Sequence, residues 1–479
     1  MKLAERTFRQ ADQSKFASVT GDRNPMHMDA LLARRTQAGA PVVHGIHLLL
    51  WALDSVCAAQ QDLPSLRQLR AQFNKFVYVD ECAEVVITQQ RETGMRLAIA
   101  VDGAPRSKIA IQFGEPLEGS SALDAKSLEP IPLPQEALPL KFEQMLGRCG
   151  LLGFQMNEQD AAELFPAATR WLGPRRIAAL AASTCLVGMV CPGLHSIYSD
   201  LDVHTCAETD SPNGLAFRCT EADPRFRSID LEIAGGGLAG VVQGFARTPP
   251  VQQATMQSLA GAVGPAEFAG SNALIVGGSR GLGELTAKLL ATGGAQVTIT
   301  WQAGREDAER VAKEIRGAGG WCTPLAYDAR KSAEEQLAHL QDPPTHVYYF
   351  ATPAIFKPQA QIFSTDRLRE FMSIYVDGFW RLSETLRARQ PKLSVFYPST
   401  VFVAERPEGM AEYAMAKAAG EVLCAEMNAL LGPAHVTVSR LPKMLTDQSA
   451  SVTAEEMADP LATMLPIVRE VQSWPRQSL

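Results

Sequence analysis

The sequence has 479 residues, of which 46% are hydrophobic and 20% are charged, and its formal net charge at neutral pH is −7. This length exceeds what a single hydrophobic core usually serves, so we expect about three domains. The acidic balance argues against nucleic acid or an anionic membrane as a partner, since both require a basic surface.

The N-terminal segment and the cysteines bear on the cellular compartment. Residues 1–16 lack a long apolar run, so we expect no signal peptide. The nine cysteines form no CxxC pair and no Cys/His cluster, which argues against a disulfide framework and against structural zinc. We therefore expect a cytoplasmic protein with reduced thiols.

The stretch GDRNPMHMD, residues 21–29, brings an acid, an Asn-Pro step and a histidine together. Asn24 and Pro25 are typical of a helix N-cap and first helical position, which would place Asp22 on the entering loop and His27 in the first turn. The pair could be an acid/base dyad, or the loop could be a capped helix start with a surface histidine. A metal site would need further converging ligands. We expect no metal, because Asp29 would point to another face.

The segment PVVHGIHLLL, residues 41–50, predicts that a long apolar helix begins at His44 and Gly45. The first N–H groups of such a helix have no intrahelical acceptor and can polarise a carbonyl, as an oxyanion site does. Beside a His/Asp pair, this suits removal of the proton α to a thioester and protonation of a β-hydroxyl leaving group. The reaction would be dehydration, or hydration in reverse.

Two stretches rich in proline and small residues, 129–140 and 247–272, predict linkers and leave segments 1–125, 135–248 and 270–479. The first two segments share the order of an apolar helix followed by alternating strands. At an offset of 128 residues they also share four identities: Gly45/Gly173, Cys57/Cys185, Pro64/Pro192 and Leu66/Leu194. This predicts a pseudo-dimer with one helix on a curved antiparallel sheet in each half. Two unrelated α+β domains are the alternative.

The motif Gly21-Asp22-x-Asn24-Pro25-x-His27-x-Asp29, followed by His44-Gly45, resembles the MaoC-like (R)-specific enoyl-thioester hydratases of the hotdog fold. The resemblance implies that Asp22 and His27 form the catalytic dyad and that the Gly45 N–H binds the thioester carbonyl. It further implies an α+β double hotdog. The second half would be degenerate, because GFQMNEQDAAELFP stands where its motif would be.

The third segment alternates strands and helices and predicts an α/β Rossmann-type, doubly wound parallel sheet. Its turn VGGSRGLGE places Gly277, Gly281 and Gly283 between a strand and a helix, where glycine lets the backbone approach a phosphate closely. Many strand-to-helix turns use glycine for packing alone, but this context favours a dinucleotide. The strand TITW has no acid directly after it, and Arg280 lies inside the turn. Both features favour NADPH over NADH.

The segment EYAMAKAAGE places Tyr413 and Lys417 four positions apart, on one face of a helix. A nearby ammonium favours ionisation of a phenol, which could then donate a proton to a carbonyl oxygen as hydride arrives. Ser399 or Thr400 could hydrogen-bond the same oxygen. The alternative is a half-buried aromatic beside a solvated charge.

These motifs, with RLPKMLT at residues 440–446, resemble the short-chain dehydrogenase/reductase family. The resemblance implies that Tyr413 is the acid, that Lys417 is its partner and a ribose ligand, and that Ser399 orients the carbonyl, with Thr400 as the alternate. The implied cofactor-binding residues also include Gly277, Ser279, Arg280, Gly281, Leu282, Gly283, Asp328 near the adenine, Ala351, and Pro442 and Thr446 beside the nicotinamide.

Two positions depart from the pattern of this family. Residues 350–353 read FATP where Asn-Asn-Ala-Gly is usual, which puts details of cofactor packing in doubt. Tyr375 stands where an asparagine commonly completes a proton relay, although water could bridge the gap.

Together the two resemblances imply a bifunctional enzyme that reduces 3-oxoacyl thioesters with NADPH and dehydrates the 3-hydroxyacyl products, in fatty-acid or polyketide-type synthesis. The acyl group would be carried by coenzyme A or by an acyl-carrier protein, and we expect a homo-oligomer. One alternative is the degradative order, in which hydration precedes NAD-dependent oxidation. Another is a non-catalytic scaffold that only binds acyl groups or nucleotide.

Overall fold

The computed structural model describes residues 1–36, 38–60, 62–116, 123, 127–206, 213–249, 251–340, 342–353, 355, 363–430, 432, 434–444 and 457–474. The chain divides near residue 250 into two compact units. Within these described ranges, no helix has both the length and the apolar character to cross a membrane. The further division of the first unit between residues 125 and 135 stays a prediction.

The first half of the first unit wraps four antiparallel strands and a short edge strand around one buried helix. Its elements are β1 (Lys2–Thr7), α1 (Gln10–Thr20), α2 (Pro25–Met28), α3 (Ala30–Ala33), α4 (Gly45–Ala59), β2 (Leu66–Phe73), β3 (Cys82–Arg91), β4 (Gly94–Val101) and β5 (Ala104–Phe113). Helix α4 is apolar on almost every side, and nine of its residues from Ile46 to Val56 are buried. Such a helix is stable only inside a core, which the concave face of the sheet provides.

The second half repeats this order with a different helical region. Its elements are β6 (Pro130–Ile131), β7 (Cys149–Gly153), α5 (Glu158–Leu164), α6 (Pro166–Leu172), α7 (Pro174–Cys185), a π-helical turn (Leu186–Val190), β8 (Ser196–Thr205), β9 (Gly214–Asp223), β10 (Ser228–Gly235) and β11 (Leu238–Ala246). The apolar faces of α4 and α7 belong to one hydrophobic core. The two predicted helices therefore share a single interior.

One continuous sheet of eleven strands runs through both halves, in the order β1-β3-β4-β5-β2-β8-β11-β10-β9-β7-β6. Strands β2 and β8 join the halves by antiparallel pairing, with Leu69 opposite Val203. Because this pairing covers the edge strand of each half, neither half exposes a free edge at the junction.

The second unit is a parallel sheet of six strands in the order β14-β13-β12-β15-β16-β17. Its elements are α8 (Met256–Leu259), β12 (Asn272–Val276), α9 (Gly281–Thr292), β13 (Gln296–Trp301), α10 (Arg305–Gly317), β14 (Trp321–Ala326), α11 (Ala333–Leu337), β15 (His346–Tyr349), α12 (Thr365–Met372), a π-helical turn (Ser373–Gly378), α13 (Phe379–Arg389), β16 (Ser394–Thr400), α14 (Phe402–Glu405), α15 (Ala411–Leu430), β17 (His435–Leu441) and α16 (Pro460–Gln472). The strand order reverses between β12 and β15. In doubly wound sheets, ligands bind outside the carboxyl ends of the strands at such a point.

Candidate active sites

The loop that enters α2 is fixed by Asn24. Its Oδ1 accepts a hydrogen bond from the Met26 N–H (3.0 Å), which caps the short helix as the Asn-Pro step predicts. Its Nδ2 donates to the Gly188 carbonyl (2.8 Å), in the π-helical turn after α7. One side chain therefore both starts the helix and holds the loop against the second half of the unit.

Asp22 is almost completely buried, with 1% of its surface exposed. Its Oδ1 accepts from the Asn24 N–H (3.1 Å), and its Oδ2 accepts from Thr184 Oγ1 (2.7 Å). A Cβ added to Gly188 would lie 2.3 Å from Asp22 Oδ1, so the carboxylate needs a glycine there. Sequence reasoning missed Thr184 and Gly188, because no motif marks them.

His27 lies in the first turn of α2, and its imidazole is also buried. Its Nδ1 lies 2.8 Å from the Val42 carbonyl oxygen, so Nδ1 carries the proton that it donates and Nε2 is left as an acceptor. Burial lowers the pKa of His27, although the negative charge of Asp22 acts in the opposite direction and raises it. Burial also raises the pKa of Asp22, although His27 and the Thr184 and Asn24 hydrogen bonds oppose this. Burial therefore shifts each group toward its neutral form, the imidazole and the carboxyl.

His44 stacks on the His27 ring, with 3.8 Å between the centroids. Its Nδ1 lies 2.9 Å from Gln13 Oε1, and its Nε2 lies 3.2 Å from the Asp22 main-chain oxygen. Burial, followed by the neighbouring histidines, holds the pKa of His44 well below its usual value. We interpret His44 as a neutral residue that supports the His27 ring and the Asp22 backbone.

The structure brings one potential ligand atom each from Asp22, His27 and His44 within 4.8 Å of one another. Asp29 is not part of this group, because its Oδ1 caps α3 by accepting from the Leu31 and Leu32 N–H groups (2.8 and 3.0 Å). Both ring nitrogens of His44 already face oxygen atoms of the protein. The expectation that the site works without a metal stays a prediction.

A narrow pocket opens onto the dyad, and side chains from both halves of the unit line it. Gly45 contributes the first turn of α4, where the leading N–H groups have no intrahelical acceptor. A side chain at this position would press on the Phe73 ring, 3.1 Å away. The lining also includes Asp22, His27, Ser107, Thr184, Gly188 and Tyr198.

In the second unit, the turn between β12 and α9 depends on its glycines. Gly277 has a φ of +83° and Gly281 a φ of +58°, in the left-handed region that favours glycine. A Cβ on Gly283 would lie 2.2 Å from the Gly277 carbonyl oxygen. The turn therefore allows a phosphate to approach the backbone closely at the start of α9. Ser279, Arg280 and Leu282 lie in the same stretch.

Of the other predicted cofactor-binding residues, Ala351 lies beside this turn, and Asp328 and Pro442 follow other strands of the sheet. The Ala351 nitrogen lies 3.0 Å from where a Gly277 Cβ would be, which places Ala351 beside the glycines. Asp328 follows β14, and its carboxylate is paired with the Arg330 guanidinium (2.9 and 3.0 Å). Pro442 directly follows β17. Thr446 lies outside the described residues.

Tyr413 and Lys417 lie in α15, as their spacing predicts. Burial raises the pKa of the Tyr413 phenol to about 12, against a hydrogen bond with the Thr400 side chain. Lys417 is buried, and its Nζ donates to the Pro398 carbonyl (2.7 Å). Burial lowers the pKa of Lys417 to about 7. The phenol is thus kept protonated at neutral pH, and burial outweighs the effect expected from a neighbouring ammonium.

The structure distinguishes the surroundings of Ser399 from those of Thr400. Ser399 Oγ donates to Glu421 Oε1, and the Glu421 carboxylate is also held by Arg440 (2.8 and 2.7 Å). Successive residues of a strand point to opposite faces, so Thr400, the alternate, is the residue that faces Tyr413. Thr400 therefore lies beside Tyr413, and which of the two hydroxyls orients a carbonyl stays a prediction.

Two family profiles match the sequence. The profile described as MaoC like domain matches residues 2–104, and the profile described as short chain dehydrogenase matches residues 271–456. The chain joins a MaoC-like dehydratase domain to a short-chain dehydrogenase domain. This confirms both resemblances inferred from the motifs. The second half of the first unit lies outside both matched ranges.

Similar solved structures include a mutant Serratia marcescens short-chain dehydrogenase/reductase, which is 25% identical, covers 44% of this chain and 90% of its own, and has a TM-score of 0.36. A short chain dehydrogenase from Burkholderia cenocepacia in complex with NADP is 22% identical, with 43% and 94% covered and a TM-score of 0.38. A 3-oxoacyl (acyl-carrier-protein) reductase from Agrobacterium tumefaciens with NADP bound is 17% identical, with 43% and 88% covered and a TM-score of 0.39. No similar sequence was found among curated proteins.

Proposed function

We propose that the chain is a bifunctional enzyme that reduces 3-oxoacyl thioesters with NADPH and dehydrates the 3-hydroxyacyl thioesters to 2-enoyl thioesters. The observation that carries this proposal is the presence, in one chain, of two acid/base sets suited to chemically consecutive steps. Asp22 and His27 form one set, and Tyr413, Thr400 and Lys417 form the other.

For dehydration, His27 Nε2 would remove the proton from the carbon α to the thioester. Electron density then moves toward the thioester oxygen, which the N–H groups at the start of α4 would stabilise. As the α–β double bond forms, the C–O bond at the β carbon breaks. Asp22 donates its proton to the departing hydroxyl, which leaves as water. Transfer of the proton from His27 back to Asp22 completes the cycle.

For reduction, the glycine turn from Gly277 to Gly283 would hold the dinucleotide, because a Cβ at Gly277 or Gly283 would clash with neighbouring backbone. When bound, a nicotinamide supplies hydride to the carbonyl carbon. Thr400 would donate a hydrogen bond to the carbonyl oxygen and hold it near Tyr413. Tyr413, which is protonated at neutral pH, would give its proton to that oxygen.

The preference for NADPH rests on the residues directly after β13. This strand ends at Trp301, and residues 302–304 contain no acid that would bind the ribose hydroxyls of NAD and repel a 2′-phosphate. Arg280 stands at the N-cap position of α9, where a cation would favour that phosphate. Turnover with NADPH and NADH compared at equal concentration tests the preference. Faster turnover with NADH would instead favour the degradative order of hydration and oxidation.

We further infer that the first unit is a double hotdog, with one hotdog in residues 1–125 and a degenerate one in residues 135–248. The pairing of β2 with β8 and the shared core of α4 and α7 support this arrangement. In this arrangement, the second hotdog keeps the helix and the sheet but has no dyad of its own. It supplies only supporting contacts, such as the hydrogen bond from Thr184 to Asp22.

The working context is part of the proposal. The nine cysteines all lie within the described residues and are thiols rather than disulfides, which fits a reducing, cytoplasmic compartment. Exposed apolar side chains on α15, Met415, Val422 and Leu430, form one stripe that a second copy of the chain could cover in a homo-oligomer. Substrates carried by coenzyme A and by an acyl-carrier protein remain alternatives, in fatty-acid or polyketide-type synthesis.

One incubation tests the two activities together. The chain is mixed with a 3-oxobutyryl thioester and NADPH, and both NADPH oxidation and enoyl product are followed. We expect Tyr413→Phe to abolish NADPH oxidation, and His27→Ala to stop the reaction at the 3-hydroxyacyl thioester. NADPH oxidation without enoyl product in the wild-type chain would refute the dehydratase. If neither NADPH oxidation nor enoyl product is detected with either carrier, the result would favour the non-catalytic scaffold.

A further inference from the structure

The two positions that depart from the short-chain dehydrogenase pattern are in contact with each other. Tyr375 and Thr352 are 23 residues apart in the sequence, and their hydroxyl groups lie 2.5 Å apart. Tyr375 is fully buried in the π-helical turn Ser373–Gly378, whereas Thr352 is exposed. Local π-helical turns often mark functional sites. The two departures therefore form one hydrogen-bonded unit.

The ring of this buried tyrosine faces Lys417. The Lys417 Nζ lies 3.9 Å from the centroid of the Tyr375 ring and 5.0 Å from that of Tyr397. The electron-rich face of an aromatic ring attracts an ammonium, and the attraction grows when water is excluded. Lys417 is 5% exposed, so its ammonium has little water to stabilise it.

Few other groups act on this ammonium. The Pro398 carbonyl accepts one of its three N–H groups. Tyr375 from the π-helical turn, Tyr397 from β16, and Tyr413 and Cys424 from α15 are the titratable groups that face it. Among the described residues, the groups that interact with Lys417 include no carboxylate. The rings therefore supply the stabilisation that a counter-ion would otherwise supply.

We propose that Tyr375 is a positioning residue for Lys417, in which the face of its buried ring, and not its hydrogen bond to Thr352, holds the ammonium. The catalytic meaning of this inference rests on the proposed reductase function. The interaction between Lys417 and Tyr375 is independent of that function. The two substituted positions would thus replace an amide-based arrangement by an aromatic one. The ring, and not the phenolic hydroxyl, does the essential work.

Three variants separate the ring from its hydroxyl. Tyr375→Phe keeps the ring face and removes the bond to Thr352, Thr352→Val removes the same bond from the other side, and Tyr375→Leu removes the ring. The primary measurement is a pH titration by NMR of protein labelled at the lysine ε-carbons, with the Lys417 signal assigned from Lys417→Met. This readout needs neither cofactor nor activity. The control is Phe396→Leu, which removes a buried ring that contacts the rings of Tyr348 and Phe350.

We expect Tyr375→Leu to lower the titration midpoint of Lys417 by about one pH unit, because the ammonium loses its aromatic partner. The Phe and Val variants and the control should stay within about 0.3 of the wild-type midpoint. A wild-type midpoint in Tyr375→Leu overturns the proposal. A fall in Tyr375→Phe as large as in Tyr375→Leu also overturns it, since the hydroxyl would then be the essential group.

The catalytic consequence is measured separately. In NADPH-dependent reduction, kcat of Tyr375→Leu should fall at least tenfold, and the limb of the pH profile that reports loss of the Lys417 proton should move to lower pH. Tyr375→Phe should remain within about threefold of the wild type. If the wild-type chain reduces no 3-oxoacyl thioester, the proposed function fails while the titration still decides the role of Tyr375.

Discussion

Thr184 Oγ1 donates a hydrogen bond of 2.7 Å to Asp22 Oδ2, although 162 residues separate the two side chains in the sequence. Both side chains are buried, and they come from different halves of the N-terminal unit. The half without a dyad therefore completes the site of the half that has one. A hydrogen bond contributes about 0.5–1.5 kcal/mol between neutral groups and about 1.5–3 kcal/mol when one group is charged, so the contact matters in either protonation state of Asp22.

Removing this hydroxyl should impair dehydration. We expect Thr184→Val to lower kcat by about 10- to 100-fold, because the carboxyl loses the donor that orients it. Thr184→Ser should restore most of the rate. The alkaline limb of the pH profile should move to higher pH in Thr184→Val, because the Thr184 hydrogen bond lowers the pKa of Asp22.

Thr205→Val is the matched control for this prediction. Thr205 is a buried threonine of the same unit, and its Oγ1 donates to the Leu66 carbonyl (2.5 Å) away from the dyad. The Thr205→Val variant should be less stable than the wild type, but its pH profile of dehydration should be unchanged. Equal profiles in the two valine variants would show that Thr184 has only a structural role.

Gly188 should tolerate no side chain. A Cβ there would lie 2.3 Å from Asp22 Oδ1, so Gly188→Ala must displace the carboxylate. We expect dehydration to fall at least about 100-fold while NADPH-dependent reduction is retained. Gly153→Ala provides the comparison, because an added Cβ at Gly153 meets no atom within 4 Å. Similar dehydration rates in both alanine variants would contradict the close approach.

The pH dependence of dehydration depends on the two buried groups of the dyad. His27 must be neutral to accept a proton, and burial lowers its pKa below 6.5, so activity should be lost only as the pH falls through that lowered value. Asp22 must be protonated, and burial raises its pKa above 3.8, so activity should be lost as the pH rises through that raised value. The measurement is kcat/KM across the pH range. An acid limb centred above pH 6.5 would be inconsistent with a buried, neutral imidazole.

Local signals explain what the sequence could predict. Asn24 and Pro25 start a helix by their own backbone chemistry, and the glycines from Gly277 to Gly283 permit a turn that other residues would block. The helix that begins at Gly45 and the strands of the second unit are also predicted by short apolar patterns. Each of these features depends on neighbours a few positions away.

Contacts between residues that are far apart in the sequence cannot be predicted from local sequence patterns. Thr184 reaches Asp22 only because α7 packs in the same core as α4, and no local pattern marks that threonine. Ser399 and Thr400 are adjacent hydroxyl residues, and only the orientation of β16 decides which of them faces Tyr413. The contact between Thr352 and Tyr375 likewise appears only when β15 and the π-helical turn are side by side.

Chelation should leave the dehydratase unchanged. Asp22, His27 and His44 are close enough to share an ion, but both carboxyl oxygens of Asp22 accept hydrogen bonds and both ring nitrogens of His44 face oxygen atoms of the protein. We expect dialysis against EDTA to preserve activity and elemental analysis to find metal well below one ion per chain. Stoichiometric metal whose removal abolishes dehydration and whose return restores it would establish a metal centre instead.

The adjacent hydroxyls at the end of β16 should differ sharply in their effect on reduction. Thr400→Val should lower kcat about 100-fold, because the carbonyl oxygen loses a preorganised donor beside Tyr413, and Thr400→Ser should restore much of it. Ser399→Ala should stay within about threefold of the wild type, since its hydroxyl binds Glu421 and not Tyr413. Unchanged thermal unfolding of the second unit in all three variants would confirm that this unit is folded. The reverse order, with Ser399→Ala the more damaging, would mean that the strand presents the other face to the substrate.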